Sequence, residues 1–122
     1  GLAPRREPGL VVEPNRPDFP ALLGRAWLSV SQAGYNTVTD LLSARARCVL
    51  VPFAAEGENE QSLRAAALEA RGLATVVNEA ELTPQMLARA IDKAAAAPRP
   101  SHDIALDGAE RGARIILGWC AR

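Results

Sequence analysis

The chain has 122 residues, of which 48% are apolar, and its 14 basic and 14 acidic residues give a net charge of zero. This length suits one domain with a sizeable core, and the composition is that of a globular protein rather than a disordered or fibrous one. The charge balance excludes a general attraction to nucleic acid. No apolar run reaches membrane-spanning length, and the first residues do not have the pattern of a signal peptide.

Short apolar strands alternate with helices along the chain. Residues 1–9 are predicted to be a ragged start, so that the first strand, Leu10–Val12, has no element before it. Prolines place a loop over residues 13–18, and Asp18 is expected to cap the helix that follows. The predicted elements are, in order, a helix at 19–25, a strand at 26–30, a helix at 38–46, a strand at 48–51, a helix at 61–71 ended by Gly72, a strand at 74–77, a helix that Thr83 caps, a linker at 98–106, and a helix at 107–120.

Three features of the apolar pattern define the expected core. Cys48–Val51 is apolar on both faces, which is typical of a central parallel strand covered by helices. The helix after Thr83 should bury Met86, Leu87, Ala90 and Ile91, and the last helix should dock through Ile115, Ile116 and Trp119. We therefore predict one α/β domain over residues 1–122, a Rossmann-like parallel sheet with helices on both faces.

Ligands of such sheets gather where the strands end at their carboxyl edge, which here collects the polar loops 13–18, 31–37 and 53–61. The central loop contains Gly34, and we expect Asn36 or Thr37 to cap its helix. Free N–H groups at that helix start would suit a phosphate, and Asp40, one turn further, would suit a sugar hydroxyl. An ordinary strand–turn–helix is the alternative interpretation.

The pair Glu60–Gln61 opens the next predicted helix at the same edge. A carboxylate and an amide can bind sugar hydroxyls by paired hydrogen bonds, although both residues also simply favour a helix start.

The chain has no Gly-x-Gly-x-x-Gly and no Walker-type lysine loop. Ser31, His102 and Asp40 are the residue types of a hydrolase triad, but Ser31 lacks the Gly-x-Ser-x-Gly elbow.

Cysteine and histidine usage predicts neither a metal site nor a cofactor. Cys48 is expected to be a buried free thiol, and Cys120 lies near the end of the chain, so a reducing cytoplasm is the expected compartment. His102 is expected to be an ordinary surface residue.

The sequence resembles the C-terminal domain of the GT-B glycosyltransferases over about residues 10–94. Three motifs carry the resemblance in the family's order, namely Ser29–Leu42, Val49–Phe53 and Asn59–Gln61. The branch it resembles contains the lipid-intermediate N-acetylglucosaminyltransferase of peptidoglycan synthesis and its uncharacterised relatives.

The resemblance implies a site for a nucleotide sugar, with a UDP-linked hexose as the expected donor. The donor diphosphate would face Ala33, Gly34, Tyr35, Asn36 and Thr37. Asp40 stands where the family usually has a longer Glu that binds the ribose. Asn15 and Arg16 would contact the base, and Glu60 and Gln61 would contact the transferred sugar.

By the same resemblance, the chain would be a truncated C-terminal half of a GT-B fold, without the N-terminal domain that binds the acceptor and supplies the catalytic base. It would need no metal, would not turn over alone, and would be cytoplasmic, with a peripheral membrane location through the missing domain. Two alternatives stay open: a non-catalytic partner module of a split glycosyltransferase, and a nucleotide-sugar epimerase.

Overall fold

A computed structural model describes residues 5–7, 10–12, 18–53 and 59–102. Its first two strands, β1 (Arg5–Glu7) and β2 (Leu10–Val12), form an antiparallel pair. Only Pro8 and Gly9 separate them in sequence, a dipeptide typical of turns. The predicted strand at Leu10–Val12 is confirmed, but the expectation that no element precedes it is wrong, because the Arg5–Glu7 strand lies before it and pairs with it.

Three parallel strands form the sheet that organises the domain. They are β3 (Ser29–Ser31), β4 (Cys48–Leu50) and β5 (Thr75–Val76), in the order β3-β4-β5. In register, Val49 of the central strand faces Val30 on one side and Thr75 on the other. The strand predicted at 26–30 begins later, and all three residues of β4 are buried, as expected of a strand covered on both faces.

A helix follows each strand from β2 to β5. They are α1 (Phe19–Arg25), α2 (Tyr35–Ala44), α3 (Glu60–Ala70) and α4 (Pro84–Ala96), with a short 3-10 turn at Glu79–Glu81 before α4. Helix α2 begins three residues earlier than predicted. Its N-cap is Gly34 and no side chain caps it, so the expected cap at Asn36 or Thr37 is wrong, since both residues lie inside the first turn.

The two other predicted caps have different outcomes. Thr83 accepts a hydrogen bond from the backbone N–H of Met86 at 3.1 Å, which confirms it as the N-cap of α4. Asp18 occupies the N-cap position of α1, but its side chain makes no capping hydrogen bond because its backbone does not have the extended conformation of Thr83.

Alternation along β4 separates the core into two layers, and this confirms helices on both faces of the sheet. Cys48 and Leu50 pack with buried residues of α1, α2 and α3, whereas Val49 packs with Ala90 and Ala94 of α4. Leu87 and Ile91 lie partly buried against the second layer. Met86, in the first turn of α4, is exposed, contrary to prediction, because the buried part of this helix lies further along, at Ala90 and Ala94.

Left-handed residues end two of the helices on the larger layer, α2 and α3. Gly72 follows α3 with φ +71°, and Leu73 N–H bonds Leu68 C=O at 3.0 Å, the pattern of a Schellman motif. Arg45 ends α2 with φ 50°, a conformation that L-residues rarely adopt. The predicted stop at Gly72 is therefore confirmed.

Side chains that follow α4 in sequence contact the C-terminal end of α2. Arg99 donates to the carbonyls of Ala44 and Arg45, and His102 Nε2 lies 2.8 Å from the carbonyl of Leu42. The positive guanidinium of Arg99 is favourable at this helix C-terminus because the helix dipole is negative there. The predicted helix at 107–120, with its anchors Ile115, Ile116 and Trp119, lies outside the described residues. Within the described chain, no helix has the length and apolar character needed to cross a bilayer.

Candidate functional site

The first part of the candidate site is the turn between β3 and α2. Gly34 is extended, with φ −67° and ψ 154°, and its carbonyl accepts the first intrahelical bond from Val38 N–H at 2.9 Å. The N–H groups of residues 35–37 precede that bond and so have no partner within the helix. The positive end of α2 is thus presented at the carboxyl end of β3.

The second part is the start of α3, which reaches the same edge. Gln61, in its first turn, accepts two backbone hydrogen bonds on Oε1, from Ala33 N–H at 3.2 Å and from Phe53 N–H at 2.8 Å. Ala33 follows β3 and Phe53 follows β4. One amide oxygen therefore joins the carboxyl ends of two neighbouring strands and brings the starts of α2 and α3 together.

A third residue, Arg64, was not predicted. It lies one turn after Gln61 and is only 3% exposed; its guanidinium donates to the carbonyl of Ala33 and stacks 3.5 Å from the centroid of the Tyr35 ring. The spacing of Arg64 could have predicted its burial. The i, i+3, i+4, i+7 spacing of an inward helix face is occupied by Gln61, Arg64, Ala65 and Leu68, and an arginine is unusual on such a face.

The remaining predicted site residues are placed as follows. Asp40 is half-buried on α2 and forms no hydrogen bond or ion pair with other described residues, and Glu60 is exposed at the start of α3. Ala33 is fully buried, and both its N–H and its C=O are bound by α3. Asn15 and Arg16 lie outside the described residues. The binding roles of all these residues stay predictions.

The structure gives no support to a hydrolase triad. Ser31 Oγ is buried without a hydrogen-bond partner among the described residues, while the His102 ring binds Leu42 at the other end of α2. Because a carbonyl oxygen only accepts, Nε2 of His102 carries the proton. His102 is half-buried, so its interpretation as ordinary surface is wrong: it contributes to the C-terminal end of α2.

Cys48 is a free, buried thiol, as predicted. Its Sγ donates a weak hydrogen bond to Leu73 C=O at 3.6 Å, and burial raises its pKa from 9.0 to about 11. A thiol with such a pKa is not a nucleophile at neutral pH. Among the described residues, no three His, Cys, Asp or Glu side chains converge as a metal site would require.

A surface cavity of about 210 Å³ lies at the opposite edge of the sheet. Arg47 and Cys48 line it where β4 begins, Thr75 where β5 begins, and Ala97 just after α4. Ligands of parallel sheets gather at the carboxyl edge, so this cavity is distinct from the candidate site.

The parallel sheet with helices on both faces defines the chain as a Rossmann-like domain, and the starts of α2 and α3 meet at its carboxyl edge. Residues 11–105 match the model of the glycosyltransferase family 28 C-terminal domain. The match covers most of the sequence, so the chain belongs to this family, and the predicted fold class and family are confirmed.

Two similar proteins share one name. The chain is 37% identical over 87 residues, which is 71% of its length, to the UDP-N-acetylglucosamine–N-acetylmuramyl-(pentapeptide) pyrophosphoryl-undecaprenol N-acetylglucosamine transferase of Agrobacterium fabrum. The transferase of the same name from Methylobacterium radiotolerans is 31% identical over 122 residues, or 93% of the chain. The chain spans 23% and 33% of the lengths of these two relatives. The search of solved structures gave no significant match.

Proposed function

We propose that this chain is the donor-binding part of a glycosyltransferase and that it holds the diphosphate of a nucleotide sugar at the carboxyl edge of its sheet. The observation that carries the proposal is the contact of Gln61 with Ala33 and Phe53, which brings two helix N-termini together at that edge. Such an edge, in a family 28 C-terminal domain, is suited to an anionic ligand.

The start of α2 would bind the diphosphate. The N–H groups of Tyr35, Asn36 and Thr37 in its first turn have no partner within the helix and would donate to phosphate oxygens, and Gly34 would allow a close backbone approach. When the sugar is transferred, negative charge develops on the departing nucleoside diphosphate. Fixed N–H donors and helix dipoles would stabilise that charge without a metal ion.

The sugar parts of the donor would be bound by side chains on either side of the diphosphate. Asp40 would accept hydrogen bonds from the ribose hydroxyls, and Asn15 and Arg16 would contact the base. Glu60 would accept from the transferred sugar. Gln61 already uses its Oε1 for the backbone, so its contribution to sugar binding would be the N–H groups of its amide.

Ala33 would act through its backbone geometry rather than as a direct donor, because its N–H is already bound to Gln61. It sets the direction in which the chain leaves β3 and enters α2. The diphosphate would then meet Gly34 and the residues after it.

The whole protein would transfer a hexosyl group from a nucleotide sugar, expected to be UDP-linked, to an acceptor hydroxyl. The names of the relatives state a transferase of N-acetylglucosamine that uses UDP-N-acetylglucosamine. In this proposal a second, N-terminal domain of a GT-B enzyme supplies the acceptor site and the catalytic base. It would give the enzyme a cytoplasmic, peripheral membrane location, and the present chain alone would bind the donor without turnover.

NMR titration of the chain with UDP, UDP-N-acetylglucosamine and other nucleotide sugars tests this proposal. We expect amide shifts concentrated at residues 34–40 and 59–61, even for millimolar binding, with the best ligand identifying the base and sugar. Shifts scattered over α4, or none with any nucleotide, would contradict the donor-site assignment and favour a non-catalytic partner module. Release of free sugar or of an epimer without an acceptor would instead indicate an epimerase.

A further inference from the structure

Arg64 reaches from α3 to the turn that precedes α2. Its guanidinium donates to the carbonyl of Ala33 and lies 3.5 Å from the centroid of the Tyr35 ring, and the residue is 97% buried, since only 3% of it is exposed. Stacking of a guanidinium on an aromatic ring at this distance is a cation–π contact. The side chain therefore contacts the residues on both sides of Gly34.

Side chains of helix α3 bind both the backbone N–H and the backbone C=O of Ala33. Gln61 accepts the N–H of Ala33, and Arg64, one turn further along the helix, donates to its C=O. Tyr35, the first residue of α2, follows Ala33 by two positions. The direction of the first N–H groups of α2 is therefore set by side chains of α3 and not by a capping side chain of its own.

The charge of Arg64 is the less usual feature. A guanidinium stays protonated in proteins, and a buried charge is costly unless a partner compensates it. Within the described residues its contacts are a carbonyl oxygen and an aromatic ring, which are both neutral. The start of α2 lies only two residues after Ala33, so an anion bound there would place an opposite charge near this guanidinium.

We propose that Arg64 is a positioning residue of the donor site: it fixes the turn at Ala33 and places a buried positive charge behind the N–H groups that receive the diphosphate. This role rests on the proposed function, because it assumes that an anionic donor binds at the start of α2. It predicts that Arg64 strengthens binding of the diphosphate and leaves binding of the nucleoside nearly unchanged.

The test compares the affinities of the chain for UDP and for uridine, both measured by NMR titration. Arg64→Met removes the charge and keeps a side chain of similar length, while Arg64→Gln also keeps a donor for the Ala33 carbonyl. Arg64→Lys retains the charge. Arg71→Met is the matched control, because Arg71 is exposed and is the C-cap residue of the same helix, seven residues and about 10 Å along the axis from Arg64.

We expect Arg64→Met and Arg64→Gln to weaken UDP binding about tenfold or more and uridine binding less than about twofold, as loss of a charged partner predicts. Arg64→Lys should recover most of the UDP affinity, and Arg71→Met should bind both ligands like the wild type. If only one of the uncharged variants folds, as judged by circular dichroism, that variant decides the result.

Equal losses for UDP and uridine would overturn the proposal, since they would indicate a purely structural role. Unchanged UDP affinity in a folded, uncharged variant would also overturn it while leaving the donor site intact. If the wild-type chain bound none of the nucleotides, the proposed function itself would fail, and the role of Arg64 with it.

Discussion

The side-chain oxygen of Gln61 lies 2.8 Å from the backbone nitrogen of Phe53, and the same oxygen also accepts the N–H of Ala33. A residue in the first turn of α3 therefore ties together the chain segments that leave β3 and β4. This contact holds the ends of β3 and β4 and the start of α3 together, and the candidate site lies where they meet.

Replacing Gln61 should destabilise the domain. Gln61→Ala leaves the buried N–H of Ala33 without its acceptor, so we expect a loss of about 1–3 kcal/mol in the free energy of unfolding by urea. Gln61→Glu keeps an acceptor oxygen and should stay within about 1 kcal/mol of the wild type. Gln85→Ala, at an exposed position of α4, is the matched control. If Gln61→Ala were as stable as Gln85→Ala, the hydrogen bonds of Gln61 to Ala33 and Phe53 would not stabilise the domain.

Two glycines with open space around them should respond in opposite directions to alanine. A Cβ added at Gly72 or at Gly24 would meet nothing within 4 Å, but only Gly72 has a positive φ, of +71°. Gly72→Ala should cost about 1 kcal/mol because alanine is strained there. Gly24→Ala, within α1, should add about 0.5–1 kcal/mol because it lowers the entropy of the unfolded chain.

Thermal unfolding of the two glycine variants measures this difference. A lower melting temperature for Gly72→Ala and a higher one for Gly24→Ala are expected. A shift in the same direction for both would mean that the left-handed conformation does not determine how α3 ends.

The sequence predicted those parts of the fold that follow from local chemistry. The apolar run Cys48–Val51 indicated the central strand, and Thr83–Pro84 indicated the start of α4, because burial on both faces and an N-cap each have a local signature. The start of α2 was misplaced because Asn36 and Thr37 favour a cap locally, whereas the bonds of α3 to Ala33 fix the turn earlier.

The sequence predicted where the loops after β3 and β4 begin, but not the contacts between the residues of the candidate site. The alternation of strands with helices predicted a parallel sheet, in which the loops after β3 and β4 lie at the same edge. This prediction required no side-chain geometry. The bond of Arg64 to Ala33 joins residues 31 positions apart, and that of Gln61 joins residues 28 apart. Neither pairing has a local pattern from which sequence alone could derive it.

Stability should decrease at high pH because of Cys48. Its pKa rises from 9.0 to about 11 on burial, so the folded chain keeps a proton that the unfolded chain loses. This contribution is fully present below pH 9 and is lost as the pH rises toward 11, with a magnitude on the order of 2 kcal/mol. Urea unfolding at pH 8, 9.5 and 10.5 measures it.

The control for this pH dependence is Cys48→Ala in a Cys120→Ser background. Removing the thiol should flatten the fall in stability between pH 9 and 11, whatever its effect on stability at pH 7. An equally steep fall without Cys48 would assign the pH dependence to other groups.

Asp40 should contribute to binding only when the nucleotide carries ribose hydroxyls. Asp40→Ala should weaken UDP binding by about 1.5–3 kcal/mol, as for a lost hydrogen bond to a charged group, but should not weaken binding of the 2′,3′-dideoxy analogue. Asp92→Ala, at an exposed position of α4, is the control. Calorimetric titration gives both affinities. An equal loss of affinity for the two nucleotides would contradict the binding of the ribose hydroxyls by Asp40.

The most direct test of the central claim is the affinity for UDP of Asn36→Pro compared with Asn36→Ala, measured by isothermal titration calorimetry. Both variants remove the same exposed side chain, but only proline removes the backbone N–H at the second position of α2. The chain already tolerates proline at that position of a helix, since Pro20 is the second residue of α1. If the α2 N-terminus binds the donor diphosphate, Asn36→Pro should bind UDP about tenfold more weakly than Asn36→Ala while remaining folded. Equal affinities in the two folded variants would contradict the account, because the diphosphate would then bind elsewhere.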